Sequence, residues 1–166
     1  MMPKSIRKIE RLLSARGIQV KTKQCVCKVT DAGIETEEGS QHPADIVIWS
    51  TGAAAPPVLR RLGLRTDDHG FIATSDTLWS LTDSRIFAVG DSGTITASPS
   101  PKAGVYAVRQ GPILSHNLRA LFNNKNTKRF KPQSNFLKIL NTGDGIALPE
   151  YGRLTVHARW CLRLKT

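Results

Sequence analysis

Chemistry in this chain concentrates at Gly90-Asp91, which ends the apolar run Ile86-Phe87-Ala88-Val89. In an open α/β sheet, ligands bind beyond the carboxyl ends of the strands. A glycine there lets the backbone approach a ligand closely, and an aspartate can accept hydrogen bonds from sugar-like hydroxyls. An ordinary strand-turn, with Asp91 capping the next element, would use the same residues. Upstream, a second apolar run, Ile46-Val47-Ile48-Trp49, leaves in the same way through Ser50-Thr51-Gly52. Other reactive side chains offer less. Cys25-x-Cys27 would share one face of a strand, and packing as small apolar residues is preferred there to metal or redox work. Cys161 stands alone, and His42, His69, His116 and His157 have no metal-ligand spacing.

The elements that must carry these residues follow from periodicity. Ile6, Ile9, Leu12 and Leu13 recur at helical spacing among basic residues and stop at Gly17, which predicts an amphipathic helix with a cationic outer face. Residues 18–20, 25–29, 34–36 and 45–49 read as short strands separated by the turns Asp31-Ala32-Gly33 and Glu38-Gly39. Residues 46–49 and 86–89 are continuously apolar, so both are expected as buried strands. Residues 58–62 form a brief helix stopped by Gly63, and residues 71–73 a strand after the turn Asp67-Asp68-His69-Gly70. A Ser/Pro-rich loop over 92–101 precedes a helix over 103–122, with a kink expected at Gly111-Pro112. Residues 136–140, 146–148 and 154–156 predict a small antiparallel set.

Composition narrows the class. The 166 residues are 40% hydrophobic, too apolar for a disordered segment. No apolar run reaches the ~20 residues of a membrane-spanning helix. Residues 1–7 lack the apolar core of a secretory signal. Three cysteines exclude a disulfide scaffold, and a cytoplasmic setting is expected. Lys and Arg total 24 against 13 acidic residues, a net +11. After Asn117 there are ten basic residues and only Asp144 and Glu150 to oppose them. That field attracts an anionic membrane surface or an acidic partner. Nucleic acid is not the expected partner, because zinc spacings, a Gly-aromatic RNA-binding signature and a basic stripe with stacking aromatics are all missing.

Taken in order, residues 44–52, Thr82 to Asp91 and the segment from Pro101 to Gly111 resemble the pyridine nucleotide-disulfide oxidoreductase superfamily of flavoproteins. Ser50-Thr51-Gly52 is similar to the segment closing that family's nicotinamide-nucleotide domain, and residues 82–91 to its second FAD-binding motif. The overall pattern is most like the type II NADH dehydrogenase-like branch. Phe130-Lys131-Pro132-Gln133, residues 140–144, Gly152-Arg153-Leu154 and Arg159-Trp160 resemble the form fused to selenide, water dikinase. The resemblance implies an α/β fold, the C-terminal part of a two-dinucleotide-domain, Rossmann-like flavoprotein with antiparallel β segments. It implies the C-terminal half of an NAD(P)H-binding domain over 1–52, the crossover and C-terminal part of an FAD-binding domain over 53–125, and a basic cap, itself truncated, over 126–166. Cofactor-binding residues are then Gly90 and Asp91 at the ribityl chain, Thr51 and Gly52 near the nicotinamide, and the backbone N–H groups of Lys102, Ala103 and Gly104 facing the flavin.

Departures from the family pattern shape the functional expectation. Neither Gly-x-Gly-x-x-Gly turn is present, nor the redox Cys-x-x-x-x-Cys pair. In the Ala-Gln-x-Ala-x-Gln pattern of the type II branch, only the last Gln is matched, by Gln110. The first Gln position holds Tyr106 and the second Ala position Val108. The expectation is therefore a fragment of an FAD-dependent enzyme that passes hydride from NAD(P)H to FAD and on to an unidentified acceptor. Its catalytic residues are not assigned. The isolated chain is expected to be inactive and to self-associate, in the cytoplasm or at the periphery of a membrane. The alternative is a non-enzymatic binding or assembly module that uses the basic tail.

Overall fold

The computed structural model describes residues 2–133, 136–152, 154–158 and 160–161. The predicted basic positions Arg153, Arg159, Arg163 and Lys165 lie outside them. In chain order the elements are α1 (Pro3–Ala15), β1 (Val26–Thr30), β2 (Gly33–Thr36), β3 (Gln41–Pro43), α2 (Pro57–Arg61), β4 (Ile72–Thr74), β5 (Gly93–Ile95), α3 (Gly104–Phe122), β6 (Lys138–Asn141), β7 (Ala147–Tyr151) and β8 (Leu154–Thr155). A single 3₁₀ turn, Gly90–Ser92, immediately precedes β5. The chain divides into two compact units, Met1–Trp49 with Ser134–Thr166, and Ser50–Gln133.

The first unit joins α1 to two antiparallel three-stranded sheets, β1-β2-β3 and β6-β7-β8. Proline at the first turn starts α1, and Gly17 ends it at φ +71°. Asp31 and Ala32 close the β1–β2 hairpin, with Thr30 paired to Gly33. A β-bulge between Val26 and Lys28 places Cys27 as the extra residue. Polar contacts, of which only Ser5–Glu150 is fully buried, tie the ends of the sequence together. Glu150 of β7 accepts hydrogen bonds from Ser5 Oγ (2.6 Å) and the Met2 N–H (2.7 Å), and Arg16 pairs with Asp144 at 2.6 Å. The Ser5 hydroxyl, followed by the Met2 N–H, holds the Glu150 carboxyl below its ordinary pKa.

The second unit packs α3 against a layer made by β4, β5 and the loops around them. Phe71, Ile72, Ala73, Leu78, Ala88, Ile95, Tyr106, Ala120 and Phe130 form its core. β4 and β5 run parallel, pairing Ile72 with Gly93 and Thr74 with Ile95. Asn117 on α3 is fully buried and acts as a clamp. Its Nδ2 donates to the Thr77 and Lys128 carbonyls at 2.8 and 2.9 Å, and its Oδ1 accepts from the Lys128 N–H at 2.7 Å. The segment at Lys128 is thereby held to α3 and to the loop carrying Thr77.

Four predicted elements differ. Residues 18–20 form no strand. Residues 46–49 are neither paired nor covered: Ile46 is 80% exposed and Ile48 85%. Apolarity alone suggested a buried strand, but a strand also needs a neighbouring ladder, and no described segment supplies one. Residues 86–89 make a single bridge, Phe87 to Trp79, so only Ala88 of the run is buried. The parallel partner of β4 is instead β5, inside the segment expected as loop. Helix α3 continues through Gly111-Pro112, where the kink is expected. Pro112 costs the Val108 carbonyl its helical donor, but the turns on both sides persist. Among the described residues, no helix is long and apolar enough to cross a membrane.

Candidate functional site

The site is built around the 3₁₀ turn of the second unit. Gly90 adopts φ +59°, a left-handed conformation that favours glycine. A Cβ there would approach the Cβ of Ala107 to 3.1 Å, so α3 packs closely on the turn. The buried Gln110 reaches back from α3, and its Oε1 accepts the Gly90 N–H at 2.6 Å. Ser92 closes the turn with its hydroxyl on the Val89 carbonyl at 2.8 Å. Asp91, between these anchors, is exposed.

Gly93 begins β5 under tight constraint, because a Cβ there would meet the Ala88 carbonyl oxygen at 2.5 Å. Lys102 approaches from the other side of the loop. Its Nζ donates to the Gly93 carbonyl (2.5 Å) and to Thr94 Oγ1 (3.0 Å), and lies 4.0 Å from the centre of the Phe71 ring. Burial pushes the Lys102 pKa down, while the charges of Asp67 and Asp91 oppose the shift. Burial of the Asp67 carboxyl disfavours its charge. Hydrogen bonds from Thr94 and from the Phe71 and His69 N–H groups, with Lys102 nearby, outweigh that and lower its pKa.

Gly90, Asp91, Lys102 and Ala103 therefore line one cleft, together with Gly93 and Gln110. Gly104 follows directly as the first residue of α3, whose N-terminus has no side-chain cap. A Cβ on Gly104 would meet nothing within 4 Å, so the backbone there is open. Thr51 and Gly52 lie apart from this cleft, exposed in an irregular stretch before α2. Residue patterns missed Gly93 and Asp67. A hint existed in Gly93-Thr94-Ile95, whose β-branched residues suit a strand. The Tyr106 hydroxyl donates to the Gln133 carbonyl at 3.1 Å, so the residue packs inside its unit. Cys25 and Cys27 are exposed and Cys161 is buried. Among the described residues, no group of three or more His, Cys, Asp or Glu could hold a metal.

An uncapped helix N-terminus beside a Gly-Asp turn and a parallel strand pair suits an anionic ligand bearing hydroxyls. Residues 1–111 match the family described as Pyridine nucleotide-disulphide oxidoreductase. The chain belongs to this family. Within it, the chain is 28% identical over 123 residues to the type II NADH:quinone oxidoreductase of Haemophilus influenzae, covering 72% of this chain and 28% of that protein. It is 34% identical over 82 residues to the demethylphylloquinone reductase NdbB of Synechocystis, covering 48% of this chain and 20% of that protein. The chain thus spans under a third of the length of these curated relatives. The fold is similar to that of the NAD-dependent persulfide reductase from A. fulgidus, with TM-score 0.65, 22% identity, and coverage of 93% of this chain and 29% of that one. An engineered water-forming NADPH oxidase bound to NADPH gives TM-score 0.67 at 24% identity, covering 91% of this chain and 34% of that one. The partial Rossmann-like α/β fold follows from these neighbours.

Proposed function

We propose that this chain supplies the ribityl- and pyrophosphate-facing wall of the flavin site in an FAD-dependent NAD(P)H oxidoreductase. The observation that carries the reading is the pinned Gly90-Asp91 turn, with its exposed carboxylate beside the uncapped N-terminus of α3. FAD presents both ribityl hydroxyls and an anionic pyrophosphate, and these residues fit it. Asp91 is an acceptor for hydroxyls. The helix dipole and first-turn N–H groups of α3 favour negative charge. When bound, the isoalloxazine supplies the two-electron chemistry of hydride transfer from NAD(P)H. The chain's own part is to bind and orient it: Gln110 holds the turn, and Gly90 and Gly104 keep the backbone accessible.

Type II NADH:quinone oxidoreductase, NAD-dependent persulfide reductase and NADPH oxidase share a nicotinamide nucleotide by name, which supports that donor here. Their acceptors differ, so the reading rests on the donor and flavin side. The test is FAD affinity. Asp91→Ala is expected to weaken FAD binding by about 1.5–3 kcal/mol, the scale of a hydrogen bond to a charged group. Equal affinity in the variant would remove Asp91 from the site.

A second reading concerns partners and has its own observation. Phe122, the last residue of α3, is 89% exposed, with exposed Arg119, Lys125 and Lys128 close in sequence. An apolar tip among cations favours docking on an anionic membrane surface. The exposed run over 46–49 favours self-association of the isolated chain.

A further inference from the structure

We infer that Gln110 is a ligand-binding residue of the cleft beside Gly90-Asp91, its carboxamide Nε2 donating to one hydroxyl of a polyol chain while the neighbouring hydroxyl donates to Asp91. This role rests on the flavin-site reading and names the group that meets the ribityl chain from the α3 side. Gln110 projects from α3 with only 7% of its surface exposed, and it lines the cleft with Gly90, Asp91 and Ala103. Its orientation follows from chemistry. The Gly90 N–H, 2.6 Å away, needs an acceptor, so the carboxamide oxygen faces the turn and the nitrogen faces away from it. That nitrogen carries two N–H donors. Among the described residues neither meets a protein acceptor. The side-chain atoms sealed from solvent without a partner are His42 Nε2 and Thr74 Oγ1, not Gln110 Nε2. Gln110 Nε2 therefore opens onto the cleft.

A nearly buried amide donor without a protein partner is unfavourable unless something else satisfies it. Holding the turn does not require that nitrogen, since a glutamate would accept the Gly90 N–H with charge assistance. What glutamine adds is the pair of donors. The exposed Asp91 carboxylate, an acceptor, follows directly after the glycine that Gln110 grips. A phosphate offers acceptors only and is repelled by Asp91, whereas a hydroxyl both donates and accepts. Adjacent hydroxyls on one chain therefore satisfy both groups. The pyrophosphate is left to the N-terminus of α3, whose first turn has no side-chain cap. Because the Gly90 N–H already fixes the carboxamide, its donors are oriented before a ligand arrives, and little ordering entropy is lost on binding.

The experiment follows the Gln110 side-chain amide by NMR in the full wild-type chain, titrated to saturation with FAD, riboflavin or lumiflavin. These carry the ribityl chain with pyrophosphate, the ribityl chain alone, and neither. The Gln110 signals are expected to shift with FAD and with riboflavin and to stay in place with lumiflavin. Shifts with FAD alone, shifts as large with lumiflavin as with riboflavin, or no shift while FAD binds would each overturn the assignment. Gln110→Glu supplies the second measurement. It keeps the acceptor for the Gly90 N–H but replaces the donors with carboxylate oxygen beside Asp91. FAD and riboflavin are expected to bind about tenfold more weakly at neutral pH, the scale of one polar contact, with hydrogen exchange at the Gly90 amide unchanged. Equal affinity, or a loss accompanied by faster Gly90 exchange, would remove Gln110 from the ligand contacts. Failure of the wild-type chain to bind FAD at all would instead overturn the flavin reading, and this role with it.

Discussion

At Gly90 the backbone conformation is left-handed and the Ala107 Cβ stands 3.1 Å from where a side chain would begin. Gly90→Ala is expected to cost about 1–2 kcal/mol of stability for the conformation alone, measurable by urea unfolding. Glu150 gives the pH test for the first unit. Its folded pKa is lowered, chiefly by the Ser5 hydroxyl, so its contribution is present above the ordinary value of 4.5. The contribution is lost as pH falls through the lowered folded pKa, because protonation removes the carboxylate that accepts the Ser5 hydroxyl and the Met2 N–H. Ser5→Ala should move the Glu150 titration, followed by carboxyl NMR, back up toward 4.5 and shrink the acid-sensitive stability. Asp83 is lowered further, to about 2, by its hydrogen bonds to the neighbouring Arg85, a local pair legible in Asp83-Ser84-Arg85 itself. The Glu150–Ser5 contact was not legible, since its partners lie 145 residues apart.

Elements follow the same division. Helices α1, α2 and α3 were readable because period, an initial proline or a stopping glycine acts within a few residues of the element it defines. Strands were readable in hairpins such as β1–β2, where the turn sets the register. The parallel pair β4–β5 was not, because its partners are joined by about twenty residues and neither has an alternating pattern. The apolar run 46–49 misled for the opposite reason: hydrophobicity signals what a segment needs covered, not which segment covers it. Of the candidate site, the Gly-Asp turn and the helix start were visible in residue types, whereas Asp67 and Gly93 needed the β4–β5 pairing. Asn117 was hidden too, because an amide in a helix gives no sign of which distant carbonyls it meets. Asn117→Ala should destabilise the second unit by about 3 kcal/mol, leaving the Thr77 and Lys128 backbone groups without their partner. Near the end of α3, neutralising Lys128, Arg129 and Lys131 together should weaken binding to vesicles containing phosphatidylserine and flatten its salt dependence. Equal vesicle binding would leave these cations as a solvated face.

On the scale of the whole molecule, the 166 residues span under a third of the curated relatives they match, and in the proposed reading they carry one wall of a flavin site. Hydride transfer needs two dinucleotides held face to face, and the chain has neither Gly-x-Gly-x-x-Gly turn to anchor them. The isolated chain should therefore oxidise NAD(P)H with added FAD no faster than free flavin does. Its exposed run with Ile46 and Ile48 should make it self-associate, seen as a mass above 18.2 kDa by light scattering. The most direct measurement of the central claim is amide NMR mapping of FAD on the chain, at a protein concentration low enough to limit association. The claim predicts shift changes centred on Gly90, Asp91, Gly93 and residues 103–105, diminished in Asp91→Ala. Changes centred elsewhere, or an identical map in Asp91→Ala, would contradict it.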